Sequence, residues 1–237
     1  MRSLGDGAVR TWWSTTCTLT ATLLMGYANS FSFIFNDGAF VSPQTGNFIR
    51  MGATIGRGFG VISSSDIALL VGFVAGCIIG GLVAGKNASG HPLRGVTLWS
   101  AVTGGVLLLA LGAETVSNAT SVLILSMLSG LCLSLLRKVA DVDVNNCIMT
   151  GNTKNIFANA VKGVKGGDCL ALRKAMVYLG VVLLFFIGAV LAGMVSIFGK
   201  ETSLVVALAI CAIPYIAFGF ERLSVGQSDV RKRRSVG

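Results

Sequence analysis

Charge is the scarcest commodity in this sequence. Only 12% of its 237 residues are Asp, Glu, Lys or Arg, where a soluble domain carries about a quarter. Proline occurs three times and histidine once. So few prolines leave room for long uninterrupted helices. The lone His91, in the loop Ser89-Gly90-His91-Pro92, has no second histidine with which to hold a metal and reads as a solvated loop residue. The six cysteines, Cys17, Cys77, Cys132, Cys147, Cys169 and Cys211, contain no C-x-x-C pair, so neither a zinc ribbon nor a dithiol redox motif is present. Four of them sit in apolar stretches and read as small packing residues. Alternating apolar and polar patterning is missing too, which excludes a membrane β-barrel.

What the sequence does have is apolar length. Its 29 charges leave six charge-free windows: Thr11–Asn36, Ile67–Gly85, Gly95–Ala113, Thr115–Leu136, Ala175–Gly199 and Thr202–Phe220. Each holds at least 19 residues, close to the roughly 20 a helix needs to cross about 30 Å of hydrocarbon. The expectation is an all-α membrane protein of six transmembrane helices, with the lipid bilayer as its first partner. The polar opening Met1–Arg10 precedes a full-length window, so it reads as a signal-anchor that is retained.

The net charge of +9 invites a nucleic-acid partner, but its distribution argues against one. Six spans alternate the loops between two faces. One face gathers the N-terminus, the second loop (Lys86, Arg94), the fourth loop (residues 137–174) and the C-terminal tail. Together they hold 16 of the 19 basic residues, leaving Arg50, Arg57 and Lys200 for the other face. This is the positive-inside bias, so both termini are expected in the cytoplasm of a plasma or inner membrane. Trp12 and Trp13 suit an interfacial belt, and the tail Arg231-Lys232-Arg233-Arg234 suits a topological anchor or anionic lipid.

Two loops share a tripeptide, Thr45-Gly46-Asn47 and Thr150-Gly151-Asn152, 105 residues apart, and at that offset Arg57 meets Lys162 and Gly58 meets Gly163. Shifted by three more, Gly72, Gly80, Ala84 and Gly85 meet Gly180, Gly188, Ala192 and Gly193, while Gly26 meets Gly130 at 104. Matches in register through a loop and into a span indicate duplication. With three spans per half, the second half enters the membrane from the opposite side, giving a 3+3 inverted-topology repeat of the kind found in transporters and channels. The expected organisation is one integral membrane domain over 1–237, with repeats over about 11–113 and 115–220 and a basic cytoplasmic tail at 221–237.

Gly26-Tyr27-Ala28-Asn29-Ser30 in the first span, Phe40-Val41-Ser42-Pro43-Gln44-Thr45-Gly46-Asn47 after it and the second TGN loop resemble the YoaK-like family of multi-pass membrane proteins, over roughly residues 20–220. The resemblance implies six spans and a membrane location, without a substrate. This chain departs from the family where Asn29 replaces a frequent acid, and where Leu131-Cys132-Leu133 replaces a Gln-Asn element.

Inside the six windows there is no Asp, Glu, Lys, Arg or His, the usual marks of proton relays and ion-coupled transport. No carboxylate pair or nucleophile–base pair suggests an enzyme, and no cofactor or metal is called for. The TGN loops are the site candidates. Each precedes an expected short helix, re-entrant or interfacial. Thr and Asn suit an N-cap, Gly suits a sharp turn, and free amides at a helix start favour acceptors and anions. In the second such helix Ile156, Phe157, Ala160, Val161 and Val164 share a face, with Lys154, Asn155, Asn159, Lys162 and Lys165 largely opposite. The solute-pathway candidates are Thr45, Gly46, Asn47, Thr150, Gly151 and Asn152, with Asn29 and Ser30 nearby.

Gly72, Gly76 and Gly80, at GxxxG spacing, and Gly188, matched to Gly80 by the repeat, read as helix-packing positions, and the Thr15–Thr22 threonines as bonding to their own helix. Pro214 implies a kink in the sixth span. The sequons at Asn87 and Asn118 read as incidental. The leading expectation is a channel or transporter for a small polar or anionic solute. The alternative is a non-transporting membrane subunit or scaffold that docks a partner through the basic loop 137–174 and the tail. A homodimer is compatible with either.

Overall fold

The computed structural model describes residues 4–58, 62–85 and 92–234. His91, Lys86 and the sequon at Asn87 lie outside them, as do the side chains of the basic tail. Among the described residues the chain is helical apart from one small hairpin. The order is α1 (Leu4–Phe35), α2 (Gln44–Gly56), α3 (Ser64–Gly85), α4 (Pro92–Leu111), α5 (Asn118–Leu135), β1 (Lys138–Val139), β2 (Val142–Asp143), α6 (Met149–Gly166), α7 (Cys169–Ser196) and α8 (Lys200–Arg234). The antiparallel pair β1–β2 was not expected; Ala140, at φ 53°, makes its tight turn.

Four helical segments are long and apolar enough to cross a membrane: Ser64–Ala84, Asn118–Leu135, Cys169–Ser196 and Lys200–Gly219. They identify an integral membrane protein. The described apolar part of α4, Thr97–Leu111, is shorter. The long helix α1 is not in this set because it carries Thr18, Thr22, Asn29 and Ser32. All four side chains are buried, so the polar face of α1 is turned to protein and needs no lipid-facing disguise. Thr16, Thr18 and Thr22 each donate to the carbonyl four residues back, as expected, whereas Thr15 Oγ1 accepts from the Ala140 amide at 2.8 Å. Trp12 is 43% exposed, but Trp13 is buried, its ring edge-on to Phe218 at 5.1 Å. Neighbouring helical residues point about 100° apart, so the two could not share one environment.

Two close helix pairs organise the bundle, α3 with α5 and α1 with α7, and both rest on glycine. A Cβ at Gly72, Gly76 or Gly80 would run into α5, at Leu123, Met127 and Ser134 respectively. One at Gly188 would overlap the Leu23 carbonyl of α1. These are the expected packing positions, and they let backbones approach to carbonyl contact.

The contacts also reveal a pattern. Gly26 faces the Phe185 carbonyl as Gly130 faces that of Phe73, and Gly188 faces Leu23 and Tyr27 as Gly76 faces Met127 and Leu131. Positions on α1 and α5 thus correspond at 104 residues, and positions on α3 and α7 at 112. The sequence match had paired Gly188 with Gly80, one turn away. Glycines spaced every four residues make two registers look alike, and only the contacts choose. Gly180, matched in sequence to the crowded Gly72, has nothing within 4 Å.

α8 packs on α1 and α4. Tyr27 Oη donates to the Ser203 carbonyl at 2.7 Å and Trp99 Nε1 to that of Cys211 at 2.8 Å. Pro214 lies within α8. Helices α6 and α7 turn back on each other at Gly167, in the left-handed region, and Asp168, which caps α7 by accepting from the Leu170 and Ala171 amides.

Candidate functional site

The two TGN segments are not N-caps. Each begins at the second position of its helix, after a first residue Gln44 or Met149, and the N-cap residues are Pro43 and Ile148, neither giving a side-chain bond. The asparagines instead reach backwards. Asn47 Nδ2 donates to the Phe40 carbonyl at 2.7 Å, and its Oδ1 accepts from the Phe40 amide at 3.3 Å. Asn152 does the same with Asn145, at 2.6 and 3.1 Å. A third contact repeats as well: Asn47 Nδ2 to Gln44 Oε1 at 3.4 Å, and Asn152 Nδ2 to Met149 Sδ at 3.7 Å. Every partner in one clasp lies 105 residues from its counterpart in the other.

The clasp explains one of the two glycines. Gly46 and Gly151 adopt no unusual backbone angle; in the segments leading into the two clasps the positive φ values fall at Asp37, Gly38 and Ala140 instead. Gly151 provides room for the clasped loop, whereas a side chain at Gly46 would meet only ordinary contact. A Cβ at Gly151 would come within 3.1 Å of Asn145 Nδ2, and one at Gly46 within 3.7 Å of the Phe40 ring. Thr45 and Thr150 are exposed, while Asn47 and Asn152 are buried with their amides occupied. The threonine side chains are thus left at the surface, and the asparagines position the loop.

Beneath the clasps the loops converge. Asn29 Nδ2 donates to Ser42 Oγ at 2.8 Å and to the Met25 carbonyl at 2.7 Å, and the Ser42 amide returns a bond to Asn29 Oδ1 at 3.2 Å. Ser129 of α5 donates to Ser42 Oγ at 2.8 Å. The Cys147 thiol lies 3.6 Å from the Ser129 carbonyl and 2.9 Å from Asn146 Oδ1, and is in hydrogen-bonding reach of Ser42. Asn146 Nδ2 in turn donates to the Cys132 and Leu136 carbonyls, at 3.1 and 2.9 Å. Asn29, Ser42, Ser129, Asn146 and Cys147 are all buried. Ser30 is part-exposed and makes none of these bonds.

Of the expected residues, then, Asn29 belongs to the cluster and the TGN triplets stand at its rim. Ser42, Ser129, Asn146 and Cys147 were missed. A signal for two of them existed, because Ser42 and Cys147 stand 105 residues apart, the offset of the TGN pair. The exchange of serine for cysteine conceals it.

Ion pairs hold each loop to the span that follows its helix. Arg50 of α2 pairs with Asp66 at the start of α3 and donates to the Asp37 carbonyl at 2.9 Å, and Ser63 supports Asp66 at 2.8 Å. In the second loop Asp141 pairs with Arg173 of α7 at 3.0 Å, both largely exposed. Helix α6 turns its apolar face outward: Phe157, Val161 and Val164 are 66, 53 and 77% exposed. α2 does likewise with Phe48, Ile49 and Ile55. The described Cys, Asp and Glu residues form no group of three that could hold a metal.

A protein-family model matches residues 17–217, the greater part of the chain. The chain belongs to the DUF1275 family. That family is described as proteins of unknown function, in keeping with the resemblance to YoaK-like membrane proteins. No curated protein and no solved structure matches the chain. Family membership therefore leaves the activity to be argued from the site.

Proposed function

We propose that this protein is a six-span channel or transporter for a small polar or anionic solute, built as two inverted halves whose TGN loops line the path. One observation carries the reading: loops from the two halves meet at Ser42, Ser129 and Cys147 inside the bundle, held by matching asparagine clasps. Irregular backbone at membrane depth is tolerated only inside protein or beside an aqueous cavity, and paired re-entrant segments of this kind are where transporters bind solute.

The inverted arrangement is supported by the common offsets of the clasps and of the glycine contacts, together with parity. α1, α3 and α4 make three passes and α5, α7 and α8 three more, so α1 and α5 run in opposite senses. The 16-to-3 division of basic residues favours cytoplasmic termini in a plasma or inner membrane. The site offers hydrogen bonds and no acid–base pair, so the protein is proposed to move its solute without altering it.

The test is a reversible block. With Ser42→Cys placed beside Cys147, a short dithiol-bridging reagent should join the two loops. Solute flux into proteoliposomes should stop on bridging and return on reduction. Flux that persists through a bridged protein would place the path elsewhere. A second reading, a subunit that docks a partner, draws on the outward Phe157, Val161 and Val164 between Lys154 and Lys165 of α6. It predicts a partner that co-purifies stoichiometrically from a protein without flux.

A further inference from the structure

Helix α6 packs along α7, with Gly163 against the Leu172 side chain and Ile156 on the cluster that holds Tyr178 and Val181. The opposite side of the helix is open. Phe157, Val161 and Val164 recur there at helical spacing as one exposed apolar stripe. At about 100° per residue, Lys154 and Lys165 fall within about a quarter turn of Phe157 on one side, with Lys162 further round. All three lysines are exposed. The ion pairs among the described residues are Arg50–Asp66 and Arg173–Asp141, so none of the three is neutralised. α6 itself carries no acid, and Asp168, which follows it, is occupied in capping α7.

An apolar stripe beside unpaired cations fits a neighbour that carries both complements side by side, and a phospholipid does. Acyl chains cover Phe157, Val161 and Val164. The lysine stems lie along the same apolar surface and carry their ammonium groups to the phosphate. The surroundings favour lipid over a docked protein. Leu170, Leu172 and Met176 of α7 are exposed as well, and they belong to Cys169–Ser196, which is long and apolar enough to cross a membrane. The stripe on α6 therefore continues the outward surface of a span.

The repeat supplies a contrast. Helix α2 also exposes apolar side chains, Phe48, Ile49 and Ile55. Its one cation, Arg50, is paired with Asp66, which leaves Arg57 at the C-cap. Ile49 stands 105 residues before Lys154, the offset of the TGN pair. The two helices thus share apolar exposure and differ in free charge. On the orientation proposed above, α6 belongs to the cytoplasmic leaflet, which is the anionic one.

We infer that the outward side of α6 is a binding surface for anionic phospholipid. Phe157, Val161 and Val164 meet the acyl chains, and Lys154, Lys162 and Lys165 meet the headgroup phosphate. This surface needs no solute path and goes beyond the transport reading.

Tryptophan quenching by brominated lipids tests it. Phe157→Trp, in the full chain, is reconstituted with brominated phosphatidylglycerol or, at the same mole fraction, brominated phosphatidylcholine, and its added emission is read against the parent protein. The anionic lipid should act at position 157 as though its local concentration were about 2- to 5-fold higher. Lys154→Gln, Lys162→Gln and Lys165→Gln together should abolish that preference. Quenching by phosphatidylcholine should be unchanged in that variant, which shows it folded and in place. Phe48→Trp on α2 should show little preference. Equal quenching by the two lipids at position 157, a preference that survives loss of the lysines, or one as large at position 48 would overturn the inference. Quenching by neither lipid would overturn it too, because the face would then stand clear of the bilayer, as a docked protein or a second copy of the chain requires.

Discussion

Replacing Gly188 by alanine adds one methyl group where α7 meets α1. That methyl would overlap the Leu23 carbonyl oxygen, with Leu23 C and Tyr27 N each at 3.0 Å. The obstacles are backbone atoms of a neighbouring helix, so no side-chain rotation relieves them, and the helices must part. A gap of about 0.5–1 Å forfeits a quarter to a half of each dispersion contact along the seam, and overpacking of this kind costs about 1–3 kcal/mol. For a protein of this length that is a fall in melting temperature of roughly 2–4 °C per kcal/mol. Gly180→Ala and Gly193→Ala are the controls on the same helix, since nothing lies within 4 Å of either position. They should hold their melting temperature or gain slightly from the better helix propensity of alanine, up to about 1 kcal/mol. Gly76→Ala should repeat the Gly188 loss through Met127 and Leu131. The assay is thermal unfolding in one detergent, followed by the monodisperse fraction on size exclusion. If Gly188→Ala and Gly180→Ala melt together, the close α1–α7 approach is wrong.

The clasps and ion pairs give further expectations. Asn47→Leu and Asn152→Leu each strand one amide and one carbonyl of the loop, at about 1–3 kcal/mol per orphaned group; both should melt several degrees low and expose residues 36–43 or 141–148 to limited proteolysis. A loop as protected as in the wild type would remove the asparagines from their positioning role. Asp66→Asn should cost more than Asp141→Asn. Asp66 is sheltered at 14% exposure with Arg50 and Ser63 as partners, while Asp141 and Arg173 are 57 and 59% exposed. The exposed pair is worth about 0–1 kcal/mol, and charge-assisted bonds in a sheltered site about 1.5–3. Melting curves of the two variants in low salt decide the order.

Much of this architecture is legible before any coordinates. The charge-free windows locate α3, α5, α7 and the apolar part of α8 because lipid tolerates no charge there. α1 is less plain, since Thr18, Thr22, Asn29 and Ser32 dilute it, and their burial against protein appears only in the fold. The TGN pair is visible as a repeated tripeptide, but its purpose is not. Propensity rules make Thr and Asn helix caps, whereas here the asparagine bonds the loop backbone seven residues upstream, a choice that local preference does not encode. The register of α7 was ambiguous by one turn because GxxxG spacing matches itself when shifted by four. The meeting of Ser42 with Ser129 and Cys147 joins the first loop to residues 87 and 105 positions further on, and no periodicity within one helix announces it.

The inverted arrangement of the two halves is the claim on which the rest depends, and sidedness of labelling tests it most directly. In a variant free of other cysteines, Asp37→Cys and Asp141→Cys are treated separately with a membrane-impermeant maleimide in intact cells and again after permeabilisation. The account predicts that position 37 reacts in intact cells and that position 141 reacts only once the membrane is opened. Labelling of both from the same side would contradict it.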